Sequence, residues 1–94
     1  MFKPGDKYIQ FTIYGCVKRG IVAKVHESII TDTVNSVEYV SVSIITKDHQ
    51  MLELDGSDGR IYRVINELSH DQVKNIMYLR NHLQDDENQC VLNI

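Results

Sequence analysis

Hydrophobic residues recur at every second position along the first two-thirds of the chain, which is the period of a β-strand with one buried face. In residues 7–14 this alternation predicts that one set of side chains is buried: Ile9, Phe11 and Ile13. The side chains between them are then expected to face outward: Tyr8, Gln10, Thr12 and Tyr14. Similar patterns predict further strands at residues 20–26, 37–46, 51–54 and 60–64, with a short β-branched run at 29–34.

The pattern changes to a helical period after Leu68. Ser69 and Gln72 have the spacing of a capping box, in which each side chain bonds the backbone amide of the other residue. Apolar residues then recur along one helical face: Val73, Ile76, Met77 and Leu83. We therefore predict one helix over residues 69–86, followed by an apolar tail over residues 87–94.

Short strands joined by brief turns and followed by one helix predict a mainly β (α+β) fold. The expected architecture is a five- to six-stranded antiparallel barrel over about residues 1–66, with the C-terminal helix covering one open end. A closed barrel is favoured because an open sheet leaves its edge strands unpaired. The 94 residues suggest a single domain with a thin core. Since Val91, Leu92 and Ile94 have no evident place in a closed barrel, we also expect a homo-oligomer.

The opening of the chain resembles a known family of small barrels. Residues 2–7 read Phe-Lys-Pro-Gly-Asp-Lys and precede a strand, and Gly15 and then Gly20-Ile21-Val22 lead into the second strand. This pattern resembles the start of Src-homology-3-like barrels of the KOW and Tudor groups, over roughly residues 2–64. The resemblance implies a barrel that binds peptides, modified side chains or nucleic acid. The compact, acidic, turn-rich composition also resembles the accessory proteins of bacteriophages, many of which bind a host molecule.

Charge and composition narrow the classes of partner. The formal net charge is −3, but the first 26 residues have a net charge of +4 and the remaining residues −7. The acidic balance argues against nucleic acid as the partner. No apolar run approaches the roughly 20 residues needed to cross a membrane, and the N-terminus does not have the pattern of a secretory signal. These features predict a cytoplasmic protein without a membrane partner.

No set of residues has the spacing of a catalytic or metal site. Cys16 and Cys90 lie far apart in the sequence, and the four histidines share no metal-ligand spacing. A barrel this small also offers little volume for a buried active site. We therefore expect no catalytic residue, no metal and no cofactor, and the protein is not expected to be an enzyme.

Two groups of residues are candidates for binding. The first is a tyrosine-bearing sheet face, since tyrosine is frequent at energetic hot spots and loses little entropy on binding: Tyr8, Tyr14, Tyr39 and Tyr62. The second is a loop whose backbone amides, hydroxyl and guanidinium groups could hold a phosphate: Gly56, Ser57, Gly59, Arg60 and Arg63. The alternative interpretation is that the loop is a hairpin turn and that the tyrosines reflect β-propensity.

Two functional hypotheses follow. In the first, the protein is a binding module, an inhibitor or adaptor, that engages a host protein through the tyrosine-bearing face. In the second, a homo-oligomer binds and sequesters a small nucleotide or phosphorylated metabolite with the loop and its two arginines, as a bacteriophage protein that captures a signalling nucleotide would. The oligomeric state separates the two, because two subunits enclose a nucleotide more readily than one.

Overall fold

One curved, open sheet organises the molecule. The computed structural model describes residues 2–86 and 89–94. In chain order, its strands and helices are β1 (Lys7–Phe11), β2 (Val17–Asp32), β3 (Val37–Thr46), β4 (Met51–Glu53), β5 (Asp55–Gly56), β6 (Gly59–Val64), α1 (His70–Lys74), α2 (Ile76–Arg80), β7 (Leu83–Asp86) and β8 (Gln89–Leu92). The strand order is β4-β3-β2-β1-β6-β8-β7, with β5 paired to β6. The pairing of β6 with β8 is parallel, and the other strand pairs in the described residues are antiparallel.

The predicted antiparallel barrel of five to six strands with one C-terminal helix is therefore wrong. Residues expected to be the end of the helix and the apolar tail instead form a hairpin, β7–β8, whose strand β8 adds to the edge of β6. The crossover from β6 to β8 contains both short helices, as a parallel connection requires. The sheet is consequently mixed and open. Residues 87 and 88 of the predicted tail lie outside the described residues.

Strand β2 changes partner along its length. Its first part, as far as Ile21, pairs with β1, and its second part, from Val22 onward, pairs with β3. The register shifts between Val22 and Lys24, which is the signature of a β-bulge and bends the strand. The bend allows one long strand to belong to the covered part of the sheet at one end and to project from it at the other.

Two hydrophobic clusters lie on opposite sides of β1. The first cluster consists of Phe2, Tyr8, Val22, Ile44 and Ile61, with Val25, Leu52 and Leu54 packed against it. The second consists of Ile9, Phe11, Val64, Leu79 and Leu92, with Val17, Tyr62, Leu68, Ile76 and Leu83 packed against it. Because residues from both clusters alternate along β1, this strand is buried on both faces.

The expectation that Tyr8 and Gln10 face outward is wrong for this reason. Residues of β3 and β4 pack on one side of β1, and residues of α2 and β8 pack on the other. The alternation of apolar and polar residues predicted one buried face, but Gln10 is only 3% exposed and donates from Nε2 to the carbonyl oxygen of Gly59 at 2.9 Å. Ile13, expected to be buried, is exposed in the turn after β1.

The predicted capping box is confirmed, but the helix that it begins is short. The Ser69 hydroxyl accepts from the Gln72 amide, and the Gln72 side chain accepts from the Ser69 amide. Helix α1 ends at Lys74 because Asn75 leaves helical geometry, at φ −102° and ψ 84°, and caps α2 by accepting from the Tyr78 amide. Asparagine favours such caps over helix interiors. The predicted continuous helix over residues 69–86 is thus wrong.

Membrane-spanning helices are not found in the described part of the chain, because no helix there is both long and apolar enough to cross a bilayer.

Candidate interaction surface

The tyrosines predicted to share one face are divided between the two sides of the sheet. Tyr8 is 3% exposed and lies in the first cluster, where its ring covers Gly20 so closely that a Cβ there would lie 2.9 Å from the ring. Tyr62 is half-buried in the second cluster, with its ring centroid 5.9 Å from that of Phe11. Burial raises the pKa of both phenols. Tyr8 and Tyr62 are therefore structural and do not form a common surface.

The two arginines of the predicted phosphate site also point to opposite sides. Arg63 is the register partner of Tyr8 and shares its face. Arg60 lies on the face of Tyr62, with its guanidinium 6.0 Å from the ring centroid of that tyrosine and its Nε 3.9 Å from Asp55 Oδ1. Consecutive residues of a strand lie on opposite faces, so residues three positions apart do as well. Arg60 and Arg63 therefore cannot converge on one phosphate within a subunit.

The loop between β5 and β6 is shaped by its backbone. Gly59 has φ +123°, which side-chain-bearing residues rarely adopt. The cavity beside the loop is lined by Gln10, Met51, Leu52, Glu53, Gly56, Ser57 and Asp58. Glu53 and Asp58 give this lining two carboxylates, and none of the lining residues is basic. The loop therefore suits a tight turn and repels a phosphate.

The remaining two tyrosines are exposed but far apart in the topology. Tyr14 is 85% exposed in the turn between β1 and β2, and Tyr39 is 52% exposed on β3. Tyr14 has one exposed apolar neighbour in the sequence, Ile13, whereas Tyr39 lies in a segment with several exposed apolar residues. It belongs to the β2–β3 arm, defined here as residues 27–40, which comprises the outer part of β2, the connecting turn and the beginning of β3.

The arm presents apolar side chains on both of its faces. Ile29 is paired with Val40, and Ile30 is paired with Tyr39. Paired residues of neighbouring strands share a face, so the first pair lies on one face and the second on the other. Six large apolar residues of the arm are exposed: Ile29, Ile30, Val34, Val37, Tyr39 and Val40. None of them belongs to either hydrophobic cluster. The arm is thus an apolar element that the described part of the subunit leaves uncovered.

The turn of the arm is held by hydrogen bonds. The Asp32 carboxylate accepts from the backbone amides of Val34 and Asn35, at 3.0 and 3.2 Å, and from Asn35 Nδ2 at 2.8 Å. These bonds lower the pKa of Asp32, the side-chain bond from Asn35 contributing most. Ser36 completes the turn with φ 53°. The arm therefore has a defined end.

Sequence reasoning missed this surface although one signal for it was present. Ile29 and Ile30 are consecutive apolar residues in a strand, and consecutive side chains point to opposite faces. Two such residues beside Val37 and Val40 indicate a ribbon that is apolar on both sides. Since a small barrel covers only one side of each strand, that pattern is inconsistent with the predicted barrel.

The two cysteines lie in different environments. Cys16 is exposed, whereas Cys90 is 8% exposed in β8, with its Sγ 3.1 Å from Asp85 Oδ1. Burial, followed by the hydrogen bond to the Asp85 carboxylate, raises the pKa of the Cys90 thiol from 9.0 to about 11. Within the described residues, no group of three or more His, Cys, Asp and Glu side chains could hold a metal ion.

A thiol reagent should distinguish the two cysteines. At pH 8 we expect rapid labelling of Cys16 and labelling of Cys90 only after unfolding, because the thiolate is the reactive form. The Cys16→Ser variant assigns the two phases, and rapid labelling of that variant in its folded state would contradict the burial of Cys90. Since the folded pKa lies above the unfolded value, the contribution of Cys90 to stability is present below pH 9 and is lost as the pH rises to about 11.

Comparisons with known proteins found no matching family model, no matching curated protein and no matching solved structure.

Proposed function

We propose that the chain is a non-enzymatic binding module that engages a protein partner, as an inhibitor or adaptor, through the β2–β3 arm. The observation that carries this proposal is the exposure of six apolar side chains on an element that contributes to neither hydrophobic cluster. Contiguous exposed apolar surface on a small protein is typical of interaction sites. The sequence hypothesis of a tyrosine-bearing binding face is thereby reduced to one of its members, Tyr39.

The arm also indicates the chemistry of its partner. Residues 27–40 contain Glu27, Asp32 and Glu38 and no lysine or arginine. The apolar side chains are therefore bordered by negative charge alone. A complementary partner has an apolar contact surface with basic residues at its rim, which would also speed association at low ionic strength.

Tyr39 is the residue of the arm best suited to contribute strongly to affinity. It has a large, rigid ring with a hydroxyl, the combination enriched at hot spots. It also lies beside a groove at the base of the arm, lined by Ile30, Tyr39, Val40, Ser41, Val42, Glu53, Leu54 and Asp55. A partner side chain seated in that groove would contact Tyr39 and the aliphatic wall together.

Substitution of Tyr39 tests the proposal. The partner is first captured in the cells that produce the protein, by a photo-cross-linking amino acid placed at Val37, and is then purified. We expect Tyr39→Ala to raise the dissociation constant about thirtyfold or more, which corresponds to the roughly 2 kcal/mol that defines a hot spot. Isothermal titration calorimetry measures the effect.

Tyr14→Ala provides the matched control, because Tyr14 is an exposed tyrosine outside the arm. We expect this variant to bind within about twofold of the parent chain. Equal weakening by both substitutions, or unchanged binding by Tyr39→Ala, would show that the arm is not the recognition element.

The hypothesis of a sequestered nucleotide receives no support from the loop. Its lining is acidic, and Arg60 and Arg63 lie on opposite faces of β6. We therefore favour a protein partner.

A further inference from the structure

The outer part of β2 has an unpaired edge. Strand β1 pairs with β2 only from Val17 to Ile21, and β3 lies on the opposite side of β2. In the sheet formed by the described residues, no other strand borders β2 from Lys24 to Asp32. Among the described residues, the backbone groups on that side have no ladder partner.

The hydrogen bonds of β3 identify which backbone groups point outward. The carbonyl oxygen of Val42 accepts from the Leu54 amide at 3.2 Å, so Val42 directs its backbone groups away from β2. Opposed residues of an antiparallel pair are either bonded to each other or both directed away. Glu27, which is opposite Val42, therefore directs its amide and carbonyl toward the free edge. By the same alternation, Ile29 and Thr31 do so as well.

The arm is expected to have low stability as an isolated two-stranded ribbon in water. A two-stranded ribbon is marginally stable, and three or more strands with an apolar face are needed for independent stability. Its free edge runs from Lys24 to Asp32 and is flanked by the exposed Ile29 and Ile30, whereas edge strands of monomers are commonly short. A further strand on this edge would stabilise the ribbon and would pair the free backbone groups of β2.

We propose that the added strand is β2 of a second copy of this chain, paired antiparallel about a two-fold axis at Ser28. An isologous contact of this kind is the commonest way in which identical subunits associate. The result is a continuous four-stranded sheet, in the order β3-β2-β2-β3. This proposal goes beyond the proposed function, because the apolar faces of the arms stay open to a different partner.

The charges along β2 favour this register. With Ser28 opposite itself, Lys24 of each copy is opposite Asp32 of the other, so two pairs of opposite charge form. Moving the axis to Glu27 would place the two Glu27 carboxylates opposite each other, which destabilises a sheet. The Ser28 register also places Glu27 opposite Ile29, so that the outward-directed backbone groups of both strands meet.

Removal of one outward-directed backbone amide tests whether the free edge of β2 forms the contact between the two copies. Sedimentation equilibrium of the full chain should show a dimer that dissociates on dilution. We expect Ile29→Pro, which removes a donor from the free edge of each copy, to raise the dimer dissociation constant by about tenfold or more.

The matched control is Val40→Pro. Val40 is the register partner of Ile29 and directs its own amide to the opposite edge of the arm, by the same alternation. Val40→Pro therefore introduces the same backbone restriction as Ile29→Pro but removes no donor from the proposed contact. We expect the dimer dissociation constant of this variant to change less than about threefold. Circular dichroism verifies that both variants are folded. Monomers at all concentrations for the parent chain, or equal effects of the two proline variants, would overturn the proposal.

Cross-linking tests the register. In a Cys16→Ser background, Ser28→Cys should form an intermolecular disulfide with oxidised glutathione as the oxidant, because a directly opposed, non-hydrogen-bonded pair places Cα atoms about 4.5 Å apart. His26→Cys and Ile30→Cys should cross-link at least tenfold more slowly, since each is opposite the other residue and not itself. Faster cross-linking at either of these positions than at Ser28 would overturn the proposed register.

The outcomes are independent of the proposed function. A parent chain that is monomeric at all concentrations but binds its partner would reject the β2–β2 contact alone. Unchanged partner binding in Tyr39→Ala, with an intact dimer, would reject the arm as the recognition element and leave the β2–β2 contact standing.

Discussion

Replacing Gly59 with alanine is expected to lower the free energy of unfolding by about 3 kcal/mol or more, the scale of severe backbone strain. Gly59 has φ +123°, and a Cβ at this position would lie 2.2 Å from the carbonyl oxygen of Phe11. Phe11 cannot withdraw easily, because it lies in β1 and its side chain is buried in the second cluster. Urea unfolding followed by circular dichroism measures the loss.

The Gly15→Ala variant separates the penalty of a positive φ from the steric conflict with the Phe11 carbonyl oxygen. Gly15 also has a positive φ, of +79°, but a Cβ there would meet nothing within 4 Å. We expect this control to cost about 1–2 kcal/mol, the penalty of the left-handed conformation alone. Equal losses in the two variants would show that the close contact between β6 and the end of β1 is absent.

Leu92→Ala is expected to lower the free energy of unfolding by about 2–5 kcal/mol, as large-to-small substitutions in cores do. Leu92 is fully buried in the second cluster, and it pairs with Val64 on one side and with Leu83 on the other. Truncation of the Leu92 side chain leaves a cavity in the second cluster, beside residues of α2, β6 and β7. Chemical denaturation of the parent chain and the variant gives the difference.

Asn93→Ala is the control for Leu92→Ala, since Asn93 is the next residue and is exposed. Asn93→Ala should change the free energy of unfolding by no more than about 0.5 kcal/mol. If Leu92→Ala were equally harmless, β8 would not be seated beside β6, and the mixed sheet would have to be abandoned.

Local features of the structure were predictable from the sequence where they depend on neighbouring residues. The capping box of Ser69 and Gln72 forms because both partners lie within one turn. The long strand predicted at residues 37–46 has the bounds of β3. Both signals arise from side chains only a few positions apart, so no distant segment alters them.

Features that depend on distant segments were not predictable. Tyr8 and Gln10 read as outward-facing residues, but β3, β4 and the N-terminal Phe2 enclose the Tyr8 side of β1. Leu83 fits the helical period, but α2 ends at Arg80 and Leu83 begins β7, where it pairs with Leu92 of β8. In the candidate site, the sequence was enough to separate Tyr62 from Arg63, because adjacent residues of one strand lie on opposite faces. The exposure of Tyr39 was not predictable, because it depends on which other segments of the chain cover the β2–β3 arm.

The parallel pairing of β6 with β8 affects the order in which the chain can fold. Val64 and Leu92 are register partners although a crossover of two helices and β7 separates them. Hairpins β1–β2 and β2–β3 close short loops, whereas this contact closes a long one and has the larger entropic cost. Contacts between sequence-distant segments slow folding. Until β8 is in place, the second cluster lacks Leu92, so the side of β1 that faces this cluster is incompletely covered during folding.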